Sequence, residues 1–204
     1  MSSIIVDCTR PKHLFRYSQR KWLEKSLYEG EFRLVPASDY NELVGDHARQ
    51  DNELLRTQSS PGNKVEIIHQ KTGKRLIPIG DVTYKSEILT NYYTLCFSSS
   101  WNVALFDEFH GSDACLIIHK PEEFCERVHF FANRFLQNWS SLDARVTYGG
   151  RSDLGAFYLK DKKYAVQDEW RFTWAPPKAH KELTPFNIKI GSIESFAEIV
   201  LKPA

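Results

Sequence analysis

The chain has 204 residues, 42% of them hydrophobic, with 13 Phe, 9 Tyr and 5 Trp, enough to fill the core of one domain. Its 27 basic and 26 acidic residues leave a formal charge of +1, which argues against a polybasic nucleic-acid binder. The four cysteines, Cys8, Cys96, Cys115 and Cys125, make no C-x-x-C pair, the seven histidines lack ligand spacing, and no apolar run reaches membrane-spanning length; zinc, thioredoxin and membrane-span readings are set aside.

The segment Met1 to Cys8 has no cationic region and too short an apolar stretch for a signal peptide, so a cytoplasmic location is expected. His13 to Ser18 is an aromatic-rich strand candidate. Gln19 to Glu29 reads as a helix with Trp22, Leu23, Ser26 and Leu27 on one side and Gly30 as its stop. Glu31 to Pro36 is a second strand, Ala37 to Asn41 a turn, and about Asp46 to Arg56 a polar helix. Gln58 to Asn63 reads as a loop. Val65 to His69 and Arg75 to Ile79 flank Gln70-Lys71-Thr72-Gly73-Lys74, a hairpin signature. Tyr92 to Ser98 is a strongly apolar strand, Trp101 to Phe109 a short helix, and Ala114 to His119 another buried strand. Pro121 opens the longest helix, which runs to about Trp139 with Phe124, Val128, Phe131, Phe135 and Leu136 at helical spacing. Ala144 to Tyr148 and Val166 to Trp174 are strands, and the tail from Phe186 to Leu201 adds at least one more.

Strands recur without a βαβ rhythm, which predicts an α+β fold of mixed or antiparallel twisted sheets with packed helices, one domain spanning 1–204. No Gly-rich phosphate loop, G-x-S-x-G or H-E-x-x-H is present, which sets aside the common nucleotide-binding, hydrolase and zinc-protease motifs. Three motifs instead place polar chemistry on aromatic strands: Phe15-Arg16-Tyr17, Phe97-Ser98-Ser99-Ser100 and Gln167-Asp168-Glu169. On an extended strand Gln167, Glu169 and Arg171 share one face, while Asp168, Trp170, Phe172 and Trp174 share the other, core-suited one. By itself the tripeptide reads as solvated charges on a half-exposed strand.

In chain order the motifs give Arg, Ser-x-Ser, Gln-x-Glu, which resembles the Arg-Ser-Glu pattern of the ADP-ribosyltransferase superfamily. Phe15-Arg16-Tyr17, Cys96-Phe97-Ser98 and Glu169-Trp170-Arg171 also resemble an uncharacterised family of bacterial domains from toxin and phage-defence loci. The resemblance spans residues 13 to 174 but fixes fewer than about a dozen positions, and the region at 63–80 reads as a hairpin insertion in the pattern. It implies an NAD-dependent transferase acting as a toxin or defence effector, with NAD as substrate, no metal, and a macromolecular acceptor. In that pattern Glu169 stabilises the oxocarbenium-like sugar, Arg16 forks to the diphosphate or holds the adjacent ribose, and Ser98 orients Glu169 or the ribose, with Ser100 as second candidate. Gln167 positions the acceptor, and a glutamine there implies an amide side chain or nucleic-acid base. Tyr17, Tyr40 and Trp101 are candidates for stacking on nicotinamide or adenine. A poisonous enzyme of this kind implies a cognate antitoxin.

Plainer readings stand beside these. Arg16 reads as a surface ion-pair partner, Ser98 to Ser100 as a loop or helix cap, and Tyr17 and Trp101 as core. Lys71, Lys74 and Arg75 read as a solvated turn or as a basic finger on a phosphate backbone. His13 is a rival for the role of Arg16. The alternative function is a non-catalytic interaction module, an antitoxin or sensor. The two differ in one geometric expectation: an enzyme needs Arg16, Ser98 and Glu169 around one cavity.

Overall fold

The structure is a computed structural model, and it describes residues 9–42, 51–150, 152–180 and 182–203. Its elements are β1 (Leu14–Ser18), α1 (Arg20–Tyr28), β2 (Glu31–Pro36), β3 (Leu55–Ser60), β4 (Ile67–Ile68), β5 (Arg75–Leu76), β6 (Val82–Glu87) and β7 (Tyr93–Ser98). They continue with α2 (Leu105–Glu108), β8 (Ala114–Ile118), α3 (Pro121–Phe135), β9 (Ser140–Arg145), β10 (Thr147–Tyr148), β11 (Leu159–Lys160), β12 (Glu169–Ala175), β13 (Phe186–Lys189) and β14 (Ala197–Leu201).

Eight of the strands form one sheet in which every pairing is antiparallel. The small β10–β11 pair is parallel. The α+β expectation therefore holds at the level of a large antiparallel sheet with a few helices. The central strand is β7. One of its edges is paired along its whole length with β12, from Tyr93↔Trp174 to Ser98↔Glu169. The other edge is divided: β2 pairs at Tyr93 and Thr94, and β1 pairs at Ser98. Between these points β1 and β2 splay apart, and a slot opens beside Leu95, Cys96 and Phe97. Arg16 fills part of it, its Nη1 donating to the Cys96 carbonyl at 3.0 Å. That bond gives a carbonyl left without a strand partner the acceptor role it needs.

Alternation along the strands sorts the two faces. Tyr93, Leu95 and Phe97 of β7, with Trp170, Phe172 and Trp174 of β12, enter the main core beneath α1 and α3. Thr94, Cys96 and Ser98, with Glu169 and Arg171, face the other way. On α1 the buried residues are Leu23, Ser26 and Leu27; Trp22, expected on the same side, is 52% exposed. On α3, Phe124 and Val128 are buried as expected, but Phe135 is 67% exposed, and the helix ends at that residue, short of Trp139. Gly30 ends the α1 turn at φ 64°, and a Cβ there would lie 2.0 Å from the Gly191 carbonyl oxygen. The Gly30 carbonyl accepts from the Ile190 amide at 3.0 Å, which carries the chain end of β13 against the start of β2.

The structure corrects several expected elements. Of the polar helix expected over about 46–56, residues 46–50 lie outside the described residues, and the rest is an irregular segment entering β3. The first half of the expected loop at 58–63 is the end of β3, which pairs with β6, a strand the polar sequence did not signal. The hairpin expected over 65–79 is present as the shorter β4–β5 pair. The strand expected from Val166 begins at Glu169, because Lys162–Gln167 is a 3-10 turn and Asp168 sits at φ 40°. Aspartate is among the few side chains that tolerate this left-handed region.

Candidate functional site

A cavity of about 220 Å³ opens at the slot, on the face of the sheet opposite α1 and α3. Its walls bring together Arg16 and Tyr17 of β1, Tyr40, Ser98 of β7, Gln167 at the end of the 3-10 turn before β12, and Glu169 at the start of β12. Sequence reasoning placed all six in the site, and they come from segments far apart in the chain. Ser100 and Trp101, the other two candidates, lie outside this wall. Ser100 is exposed, and its carbonyl accepts from Ser98 Oγ at 2.9 Å. Trp101, 39% exposed, packs edge-on against Phe15 and Phe106. His13 is also outside the wall, in edge contact with Phe15 and His119.

The floor is a buried ion network. Glu169 is 3% exposed, Arg171 1%, Lys160 6% and Glu53 3%. The reading of Glu169 and Arg171 as solvated charges is thereby overturned. Arg171 Nε donates to Glu169 Oε1 at 2.6 Å, while its Nη1 and Nη2 donate to the two Glu53 oxygens at 2.7 and 2.8 Å. The Lys160 ammonium donates to Glu169 Oε2 at 2.8 Å and to Gln167 Oε1 at 2.9 Å. Arg171 also donates to the Phe157 carbonyl at 2.9 Å. Isolated charges at this depth would be very costly, and two forked or shared pairs offset that cost.

These pairs set the protonation states. Burial alone would raise the Glu169 carboxyl, but Arg171 and Lys160 outweigh it and hold the group well below the usual carboxylate range. Burial would lower Lys160, but Glu169 and then Glu53 raise it above its ordinary value, so the ammonium stays charged. Cys96, also in the wall, is pushed up to about 12 by burial and by the Glu169 carboxylate, which makes its thiol a poor nucleophile at neutral pH. Burial likewise raises the phenols of Tyr17 and Tyr40, which remain neutral donors and acceptors. Ser98 stands opposite Glu169 in strand register, but its hydroxyl turns to the Ser100 carbonyl; Lys160 and Arg171 do the orienting of Glu169 that was expected of Ser98.

The wall therefore carries four cations, Arg16, Arg33, Lys160 and Arg171, against the two carboxylates Glu53 and Glu169. An excess of positive charge beside aromatic side chains suits an anionic ligand with a planar group. Lys160, Glu53 and Arg33 were not singled out from the sequence. Lys160 sits in the charge run Lys160-Asp161-Lys162-Lys163, which looks like a solvated surface, and Glu53 meets Arg171 across 118 positions of chain. Among the described residues no cluster of His, Cys, Asp and Glu is placed to hold a metal ion, and no helix is long and apolar enough to cross a membrane. Comparison with protein-family models, with curated proteins and with solved structures gave no match.

Proposed function

We propose that the chain is an NAD-consuming enzyme of ADP-ribosyltransferase type, a toxin or defence effector that passes ADP-ribose to an amide side chain or a nucleic-acid base. One observation carries this reading: Arg16, Ser98, Gln167 and Glu169, from three separate strand regions, line a single cavity whose wall carries excess positive charge. In the proposed reaction the bond between ribose C1′ and the nicotinamide nitrogen breaks, and its electron pair leaves with nicotinamide. The acceptor's lone pair forms the new bond to C1′, and the acceptor's proton passes to solvent. Glu169, held ionised by two cations, is too weak a base to take that proton at neutral pH; it acts by charge and by hydrogen bonding to the sugar. Arg16 and Arg33 face the diphosphate, and Gln167 presents its amide towards the acceptor.

The test follows adenine-labelled NAD with the wild-type chain, Arg16→Ala and Gln167→Ala, in buffer and with cell lysate. Wild type is expected to move label to protein or nucleic acid, or to release nicotinamide by hydrolysis. Each variant is expected to lose about a hundredfold or more of that activity with its circular dichroism unchanged. No NAD loss under any condition would overturn the reading. The observation favouring the second reading, a non-catalytic antitoxin or sensor module, is that both Glu169 oxygens are already held by Lys160 and Arg171. That reading gains if NAD is untouched while the cavity still binds an anion.

A further inference from the structure

A second cavity, of about 290 Å³, lies on the α1 side of the slot. It shares Arg16, Ser18 and Arg33 with the first. The two compartments thus meet at the gap between β1 and β2, and each splayed strand contributes one guanidinium to the junction. Arg33 is exposed, and its side chain makes no hydrogen bond or ion pair among the described residues. The second compartment adds Lys25 and the half-exposed indole of Trp22, with the Lys25 ammonium 5.1 Å from the ring centroid. Its single carboxylate, Glu31, is already occupied: it accepts from Asn187 at 3.1 Å and lies 3.5 Å from Lys189. The balance at the junction is positive, with a flat aromatic surface beside it.

Resting on the NAD reading above, we infer that the second compartment is the subsite for the adenosine diphosphate end of the ligand, with Arg33 and Arg16 on the diphosphate and Trp22 on the adenine. Guanidiniums fork to phosphate oxygens, and a half-exposed indole is a stacking platform for a purine, which here would take the place of the Lys21 or Lys25 ammonium, each 5.1 Å from the ring centroid. Lys25 adds positive charge to the same compartment. The residues that set affinity for this end are then distinct from Glu169 and Gln167, which face the other end.

The experiment is calorimetric titration of the full chain with ADP and, separately, with inorganic pyrophosphate. Wild type is expected to bind both. Arg33→Ala should weaken both by about tenfold or more. Trp22→Ala should weaken ADP by about tenfold and leave pyrophosphate unchanged. Lys202→Ala, a cation on the far strand β14's flank, should change neither and controls for charge alone. Both test positions reach solvent, and circular dichroism checks that each variant is folded. Undetectable ADP binding, or ADP affinity indifferent to Arg33→Ala and Trp22→Ala, would overturn the subsite even if NAD were consumed. ADP binding that depends on both residues with no NAD loss would keep the subsite and remove the enzymatic reading.

Discussion

Glu169 meets Lys160 on one oxygen and Arg171 on the other, and Arg171 forks onward to Glu53. Two cations and two carboxylates close this network without excess charge, so removing one member leaves another buried without its partner. Glu169→Gln is therefore expected to cost about 3 kcal/mol and to lower the thermal midpoint by about 6–12 °C. Pairing it with Lys160→Met should recover part of the loss, and a double-mutant cycle by thermal denaturation measures the coupling. Additive losses in the two single variants would show that the pair is not coupled. Glu169→Gln would thus perturb the fold together with the site, and Gln167→Ala is the cleaner probe. Alternation alone made Gln167, Glu169 and Arg171 neighbours on one face, and the Arg-Ser-Glu order made Arg16 and Ser98 their companions. Burial of that face was not legible. It depends on Glu53 and Lys160, whose own surroundings in sequence are polar.

At the scale of elements, the long apolar and aromatic strands were read well. β2 falls on Glu31–Pro36 as expected, and β7, β8 and the start of α3 lie within a residue of the periodic pattern. The β3–β6 ribbon was missed because Arg56-Thr57-Gln58-Ser59-Ser60 shows no apolar alternation in sequence, so nothing local marks it as one strand of a pair. Beyond that ribbon the β4–β5 hairpin carries Ile68, Ile77 and Ile79 largely in water, Ile79 fully so. Gly62 allows the base of this hairpin to close, since a Cβ there would lie 2.2 Å from the Gly80 carbonyl oxygen. Neither β4 nor β5 joins the main sheet. Replacing the residues between Gly62 and Gly80 by a short Gly-Ser turn is expected to change unfolding free energy by no more than about 0.5 kcal/mol. Chemical denaturation of the shortened chain checks this, and a loss of several kcal/mol would show that the hairpin braces the domain.

For the whole molecule, acid is the expected weak point. Asp143 is buried under four donors' worth of contact: Arg10 Nε and Nη2 at 3.0 Å each, His129 Nε2 at 2.8 Å and Trp170 Nε1 at 3.0 Å. Burial would raise its carboxyl, but His129 and Arg10 outweigh burial and hold it far below the usual range. A depressed folded-state value means that the stabilisation is complete above the unfolded value of about 3.9 and is lost as pH falls below it. Glu169 acts in the same direction. The thermal midpoint should be flat with respect to these groups from about pH 5 to 8 and fall below about pH 4. Asp143→Asn should lower the midpoint at neutral pH and flatten the acid limb; an unchanged limb would place the acid sensitivity elsewhere. The divided edge of β7 has a further consequence, for biosynthesis. Strand β7 awaits β12 on one side, β1 awaits β8, and β2 awaits β13, so nearly every pairing spans a long stretch of chain. Loops of that length close slowly. A nascent chain emerging from the ribosome would hold β1, β2 and β7 with the slot already defined but with neither Lys160 nor Glu169 yet made. Most of the cavity's floor is translated after its rim, and the ligand-binding chemistry is complete only once β12 has been made.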